Sequence, residues 1–214
     1  FITDAGHELK TPITVIATSL KVLEMESGEN KWIDKSLAQT EKLRDLVNSL
    51  VSLSRLDEEQ SPLKMAEFPI SEAISETAES FRDYAEANGH ELQLEIAPAL
   101  TYTGDEYAIR QLVSILLDNA VKYADEHACI KLSLEEGKKG PVIRTMNPCT
   151  GLTRQQVERL FDRFYRVDQS RTTGGFGIGL SMARSIAEGH KGSIKATCCE
   201  ENKIEFTVLL GKCV

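Results

Sequence analysis

Apolar positions in the first quarter of the chain recur at helical spacing. Ile2, Leu9, Ile16 and Leu23 stand seven apart and interleave with Gly6, Ile13 and Leu20, the pattern of a heptad seam along one long helix. Ser27-Gly28-Glu29-Asn30 interrupts it, and Gly and Asn suit a helix end. A second helix carries Ile33, Leu37, Thr40, Leu43, Val47, Leu50 and Leu53. This stripe is broader than a two-stranded seam and suits a four-helix bundle. A single hairpin of this kind leaves much of its apolar surface in water, whereas two copies bury it, so the pattern predicts a homodimer. Residues 58–68, after Asp57, are polar and contain Pro62, which reads as a linker between domains.

From Pro69 the period changes from element to element. Ile74, Ala78, Phe81 and Ala85 mark a helix ending at Asn88-Gly89, and Leu92, Leu94 and Ile96 alternate as a strand. Leu100 to Thr103 reads as a further short strand. Ile109, Leu112, Val113, Leu116 and Ala120 mark a helix. Ile130, Leu132 and Leu134 mark a strand that turns at Gly140-Pro141 into Val142 to Met146. A helix from about Gly179 to Ala187 follows. A hairpin of Ile194 to Thr197 with Ile204, Phe206 and Val208, turning at Glu-Glu-Asn-Lys, closes the chain. The predicted class is α+β: a helical hairpin over residues 1–57 forming a dimeric four-helix bundle, then a two-layer α/β sandwich over 69–214.

Composition narrows the function. The 214 residues are 41% hydrophobic and 27% charged, with a net charge of −8, as in a soluble globular protein and unlike a nucleic-acid binder, which is normally basic. Basic residues gather only between Arg154 and Arg171. No apolar run approaches the roughly 18–20 residues of a membrane span, and no secretory leader is evident. The chain does not start with Met and reads as a fragment. Its five cysteines, Cys129, Cys149, Cys198, Cys199 and Cys213, have no ligand-like spacing. They are expected to be reduced thiols serving as small apolar core residues.

Four segments carry chemistry. His7 follows Gly6 on the flank of the first helix, where an imidazole is approachable; with a reference pKa near ~6.5 it is mostly neutral and nucleophilic. Glu8 beside it can hold the other ring N–H as the nucleophile attacks. Pro12 cannot donate to the Glu8 carbonyl, so the helix is expected to loosen there. The plainer reading is a surface histidine beside a helix irregularity. In Asp118-Asn119-Ala120-Val121-Lys122-Tyr123, Asn119 offers a hard oxygen to a magnesium ion and Lys122 a point charge to phosphates. A polar helix face is the alternative. Arg163 and Arg166 precede a Ser/Thr/Gly stretch from which they can reach phosphates. Gly175-Phe176-Gly177-Ile178-Gly179-Leu180 is a glycine-rich turn entering a helix, where backbone N–H groups suit phosphates.

These motifs, in this order, resemble the catalytic core of a bacterial two-component sensor histidine kinase, over essentially the whole chain. FITDAGHELKTP resembles the family's histidine box. The resemblance implies that His7 is the phosphoacceptor, Glu8 the assisting base and Thr11 a residue that positions water for phosphatase action. Asn119 to Tyr123 resembles the asparagine box, implying magnesium at Asn119 and nucleotide contacts from Lys122 and Tyr123; Ile115 stands where the family often has a second Asn. VIRTMNPCTGL occupies the place of the first glycine box, with Asn147 for the Asp that accepts from the adenine amino group, Cys149 for a Gly, and Gly151 retained. Asn147 keeps an acceptor oxygen without the charge. LFDRFYR, with Arg163 and Arg166, resembles the phenylalanine box, and 167–175 the lid over ATP. Gly175, Gly177, Gly179 and Leu180 match the second glycine box.

The implied second domain is an ATP-binding domain of the GHKL type. The implied reaction is ATP plus His7 giving ADP and phospho-His7 with Mg2+ as cofactor, then transfer to an aspartate of a response regulator receiver domain. The implied location is the cytoplasm, as a fragment of a membrane-anchored receptor, touching membrane only through a missing N-terminal part. Two alternatives stay open: a non-catalytic or phosphatase-dominant regulatory dimer, favoured by Asn147, Cys149, Ile115 and Thr11, and a hydrolytic gyrase-like ATPase, disfavoured by Ile115 and His7.

Overall fold

The structure, a computed structural model, describes residues 2–28, 30–57, 63–167, 177–199 and 202–212. The chain divides into two compact units, Phe1–Ser61 and Pro62–Val214.

The first unit is a pair of helices, α1 (Ile2–Ser27) and α2 (Lys31–Asp57). Helix α1 runs through Pro12 without a break in its helical assignment. The turn uses Gly28 at φ +73°, a conformation that suits a residue without a Cβ, and Asn30 Oδ1 accepts from Trp32 N–H at 2.9 Å. Ile13 and Val47 form a buried cluster. The seam is thereby split: Ile13 is 4% exposed, whereas Leu9, Ile16 and Leu23 are 51%, 49% and 47% exposed. The open half of the seam is apolar surface that one hairpin does not cover.

The second unit contains a five-stranded sheet in the order β2-β4-β5-β7-β6: β2 (Glu91–Ile96), β4 (Cys129–Gly137), β5 (Gly140–Pro148), β7 (Lys203–Leu209) and β6 (Ser193–Cys199). Only β2 and β4 run parallel; the other pairs are antiparallel. Ile130, Leu132 and Leu134 are buried on one face of β4. On the other face Lys131 pairs with Glu95 at 2.6 Å and Arg144 with Glu135 at 2.7 Å. Helices α3 (Ile70–Glu79), α5 (Glu106–Tyr123) and α7 (Gly179–Gly189) bury Ile74, Ile109, Leu112, Leu116 and Ile186, giving the expected two-layer sandwich. Among the described residues no helix is long and apolar enough to cross a membrane.

Four local features differ from the sequence reading. The helix read through Ile74, Ala78, Phe81 and Ala85 is two helices, α3 and α4 (Arg82–Ala87). Ser80 Oγ donates to the Thr77 carbonyl at 2.7 Å and Phe81 N–H to Ala78 O at 3.0 Å. These tighter bonds end the regular ladder. The last residues of the stretch read as a linker form β1 (Ala66–Phe68), antiparallel to β3 (Tyr102–Gly104). A short helix not expected from the pattern, α6 (Arg154–Glu158), starts with a Thr153–Gln156 capping box. Finally, Cys129 and Cys198 are exposed and Cys149 is half-buried, not core. Cys129 lies on the strand face opposite Ile130, and Cys198 is on the edge strand β6. The side chain of Cys199, and Cys213, lie outside the described residues.

One histidine ties α5 to α7. His190 is fully buried. Its Nε2 accepts from Asp105 N–H at 3.0 Å and its Nδ1 lies 2.8 Å from Ile186 O. This arrangement fits one tautomer, protonated at Nδ1. Burial pushes its pKa down, partly offset by the Ile186 hydrogen bond and the Asp105 charge. Asp105 in turn caps α5, accepting from Ala108 N–H at 3.0 Å.

Candidate functional site

The C-terminal end of α5 and the end of β5 enclose a cavity of about 610 Å³. Helix α5 turns Leu112, Val113, Leu116, Leu117, Ala120 and Val121 toward the sheet, which leaves Asn119, Lys122 and Tyr123 together on another face by the i, i+3, i+4 spacing. Asn119 and Tyr123 line the cavity. Lys122 is not among the lining residues; its Nζ bonds Asp118 Oδ2 at 2.6 Å. Burial acts to lower the Lys122 pKa, but the hydrogen bond and charge of Asp118 outweigh it and hold the group above its ordinary value.

Strand β5 delivers Asn147. In register it lies opposite Ile204 of β7, and the pleat turns it inward, so that it is 1% exposed and lines the cavity. Its Nδ2 donates to Pro148 O at 3.0 Å. Its Oδ1 is buried with no hydrogen-bond partner among the described residues. A buried amide oxygen in that state is unfavourable unless a donor is supplied. The cavity therefore offers a fixed acceptor to an incoming N–H group. Leu152, Leu160, Ile204 and Phe206 add an apolar lining, suited to a flat ring.

The loop after β5 is pinned beside the cavity. Asp125, just past α5, accepts from the Thr150 N–H and hydroxyl at 3.1 Å, and its own N–H donates to Pro148 O at 3.0 Å. Pro148 O thus takes donors from both Asp125 and Asn147. Gly151, at φ +82°, completes the turn in a region that favours glycine. Asp125 and Thr150 line the cavity and were not singled out in the sequence. Their coupling spans 25 positions, so no local motif announces it.

The remaining predicted residues fall as follows. Arg166 lines the same cavity; Arg163 is exposed and does not. Gly177 has φ +72°, and a Cβ there would meet Tyr165 O at 2.6 Å. Phe164 N–H donates to Gly177 O at 2.8 Å, fixing this turn against the 161–167 segment. Gly179 opens α7, with Ile115 Cγ2 at 3.4 Å from where its Cβ would be. The Leu180 side chain is buried, so only its backbone N–H is available to a ligand. Gly175 lies outside the described residues. His7 and Glu8 lie within α1, but their side chains are outside those described; Thr11 is exposed on the same helix. Among the described residues no group of three His, Cys, Asp or Glu side chains is gathered for a metal. A single amide oxygen such as that of Asn119 suits a magnesium ion, which completes its shell with phosphates and water.

Comparison with known proteins identifies the family and the fold. Residues 104–212 match the family described as histidine kinase-, DNA gyrase B-, and HSP90-like ATPase, and residues 1–59 match the His Kinase A (phospho-acceptor) domain. The sensor protein DltS of Streptococcus agalactiae is 33% identical over 197 residues, 92% of this chain and 50% of that protein. The sensor protein CiaH of Streptococcus pneumoniae is 32% identical over 217 residues, covering 97% and 47%. The chain spans about half the length of the curated relatives it matches. Among solved structures, full-length ShkA in complex with AMPPNP superposes with a TM-score of 0.79 at 21% identity, over 100% of this chain and 46% of that one. The Acinetobacter baumannii histidine kinase AdeS does so at 0.70 and 23% identity, over 96% and 97%.

Proposed function

The chain belongs to the histidine kinase-, DNA gyrase B-, and HSP90-like ATPase family, as the catalytic core of a bacterial sensor histidine kinase, and from that premise we propose that it phosphorylates His7 from ATP. The observation that carries the nucleotide half of this reading is Asn147 Oδ1, buried without a partner among the described residues in a cavity that also presents Leu152, Leu160, Ile204 and Phe206. The adenine amino group supplies the missing donor, and the ring lies on Leu152, Leu160, Ile204 and Phe206. Nδ2 is held by Pro148 O, so Asn147 presents only an acceptor, as a carboxylate does. Gly151 and Tyr123 border the same base. The triphosphate extends toward Arg166 and Arg163, Lys122, and the backbone N–H groups of Gly177, Gly179 and Leu180; Gly175, outside the described residues, is assigned to the same phosphate turn by its motif alone.

Asn119 supplies one oxygen to magnesium, which neutralises phosphate charge when bound. An imidazole nitrogen of His7 attacks the γ-phosphorus, the bond to the β–γ bridging oxygen breaks, and ADP departs. Glu8, as the assisting base, accepts the proton from the other ring N–H, which leaves the phosphorylated imidazole neutral. Ile115 is a hydrocarbon and cannot activate water, which favours transfer to a side chain over hydrolysis.

The assignment of residues 1–57 as dimerisation and phosphotransfer domain, 58–68 as linker and 69–214 as ATP-binding domain belongs to the same proposal. So does a homodimer, supported by the exposed Leu9, Ile16 and Leu23. The phosphoryl group then passes to an aspartate of a response regulator receiver domain. Exposed Thr11, one turn beyond His7 on α1, supports an additional phosphatase role toward that regulator. The fragment is assigned to the cytoplasmic side of a membrane-anchored receptor. The test is incubation with magnesium and γ-labelled ATP. Acid-labile, alkali-stable label that disappears in His7→Gln supports the kinase. Absence of label in a folded, dimeric sample that binds ATP directs the reading to the phosphatase.

A further inference from the structure

Cys149 stands apart from Cys129 and Cys198. It is half-buried and lines the same cavity as Asn119, Tyr123 and Asn147, whereas those two are exposed. Its backbone is fixed, because Cys149 N–H donates to Asn202 O at 2.7 Å, anchoring the residue at the end of the β5–β7 ladder. The cavity that receives its side chain independently calls for a ligand, since Asn147 is 1% exposed and its Oδ1 has no donor among the described residues. A thiol placed there shares its space with whatever meets that oxygen.

We propose that Cys149 is a covalent modification site inside the nucleotide cavity, at which soft electrophiles of the α,β-unsaturated carbonyl class attach and exclude ATP. This rests on the nucleotide reading given above. The cysteine thiolate attacks the β-carbon of the electrophile; the S–C bond forms, the C=C π bond breaks, and the proton released by the thiol ends on the α-carbon. No oxidant and no leaving group is involved. Electrophiles that also carry an N–H donor are favoured, because Asn147 Oδ1 can hold the donor while the thiol reacts. Bound nucleotide and adduct compete for one volume, so each protects against the other.

The experiment uses the whole chain and N-ethylmaleimide. ATP affinity of the untreated protein is first measured by calorimetric titration. Labelling is then followed by peptide mass spectrometry with and without saturating ATP and magnesium, with Cys129 and Cys198 as internal references. The expected result is Cys149 labelling slowed at least tenfold by ATP, unchanged labelling of the two references, and a loss of at least tenfold in ATP affinity once Cys149 is alkylated. In Cys149→Ala, whatever its own affinity, treatment leaves ATP binding where it was. Untreated protein that binds ATP but labels at Cys149 at the same rate with or without it overturns the proposal. So does an adduct that leaves ATP affinity intact, or a Cys149 that stays unlabelled while Cys129 and Cys198 react. Untreated protein that binds no ATP overturns the nucleotide reading itself, and the two failures are thus distinct.

Discussion

Replacing Asn147 with leucine separates what this residue does for folding from what it does for binding. Leucine has nearly the same shape and no polar atom. The variant loses the hydrogen bond from Nδ2 to Pro148 O, a neutral bond contributing about 0.5–1.5 kcal/mol. Pro148 O keeps its other donor, Asp125 N–H, at 3.0 Å. The variant also removes an oxygen buried without a partner among the described residues, a penalty of about 1–3 kcal/mol. The nucleotide-free protein is therefore expected to be between about 0.5 kcal/mol less and 2.5 kcal/mol more stable than wild type. ATP binding moves the other way. The adenine amino group faces hydrocarbon instead of an acceptor, costing about 1–3 kcal/mol, or roughly 5- to 150-fold in Kd. Urea unfolding and calorimetric ATP titration read the two effects separately. Inosine triphosphate sharpens the test: its 6-oxo group turns an acceptor toward Asn147 Oδ1, so wild type discriminates against it and the leucine variant does not. A leucine variant destabilised by more than about 2 kcal/mol with unchanged ATP affinity would show that Asn147 is a packing residue.

Three further outcomes follow from other parts of the fold. Ile16 is 49% exposed in one hairpin; its burial in a dimer contributes about 1 kcal/mol per copy, and Ile16→Glu adds the cost of unpaired carboxylates at the seam. Sedimentation is expected to show a dimer Kd raised at least ~100-fold, and an unchanged dimer refutes the seam. Gly177→Val forces a β-branched residue to φ +72° against a carbonyl 2.6 Å from its Cβ. The left-handed backbone alone costs about 1–2 kcal/mol, so the second unit should melt ~4 °C lower or more; an equal Tm counts against the turn geometry. The pKa of His190 is lowered on folding, mainly by burial. Below the unfolded pKa near ~6.5 the unfolded chain binds a proton the folded one resists, so stability present above that pH is lost on acidification, at up to ~1.4 kcal/mol per pH unit. His190→Leu should flatten that part of the profile whatever its own stability, and an equally steep profile assigns the loss to other groups.

How much of this was legible in the sequence depended on the range of the forces involved. Long elements with a sustained period declare themselves because each repeat samples the same buried face. Helices α1, α2 and α5 do so, as does β4 through the alternation of Ile130, Leu132 and Leu134. The break at Ser80 does not, because it turns on one hydroxyl taking the Thr77 carbonyl. Strand β1 has only three residues and exists through its pairing with β3. Helix α6 was detectable in principle: Thr153 and Gln156 have capping-box spacing. At the cavity, Asn119, Tyr123, Asn147 and Gly151 come from segments that motif spacing marks. Asp125 and Thr150 come from a contact between an α5 end and a β5 end that only the folded sheet brings together.

The same distinction explains why a degenerate motif need not mean a degenerate site. Read along the chain, Asn147 in place of Asp loses a charge, and the loss looks like a weakened adenine contact. On the proposed adenine reading, what selects an amino group is a buried acceptor with a fixed direction. An amide satisfies that condition only if its two ends are told apart. Pro148 O does so by taking Nδ2 at 3.0 Å, and Asp125, by donating to the same carbonyl and holding Thr150, keeps Pro148 in place. On that reading orientation takes the place of the charge that the sequence lacks, and a buried neutral acceptor avoids the desolvation cost of an ionised carboxylate at the same position. On this argument Asp125, not the missing charge at 147, sets how well adenine is read. Asp125→Ala keeps the backbone N–H that reaches Pro148 O but removes the carboxylate that holds Thr150, so the segment that follows Pro148 is freed and the preference for ATP over inosine triphosphate should narrow in that variant while the fold persists. A preference as large as wild type, with circular dichroism unchanged, would mean that Asn147 needs no help in keeping its orientation.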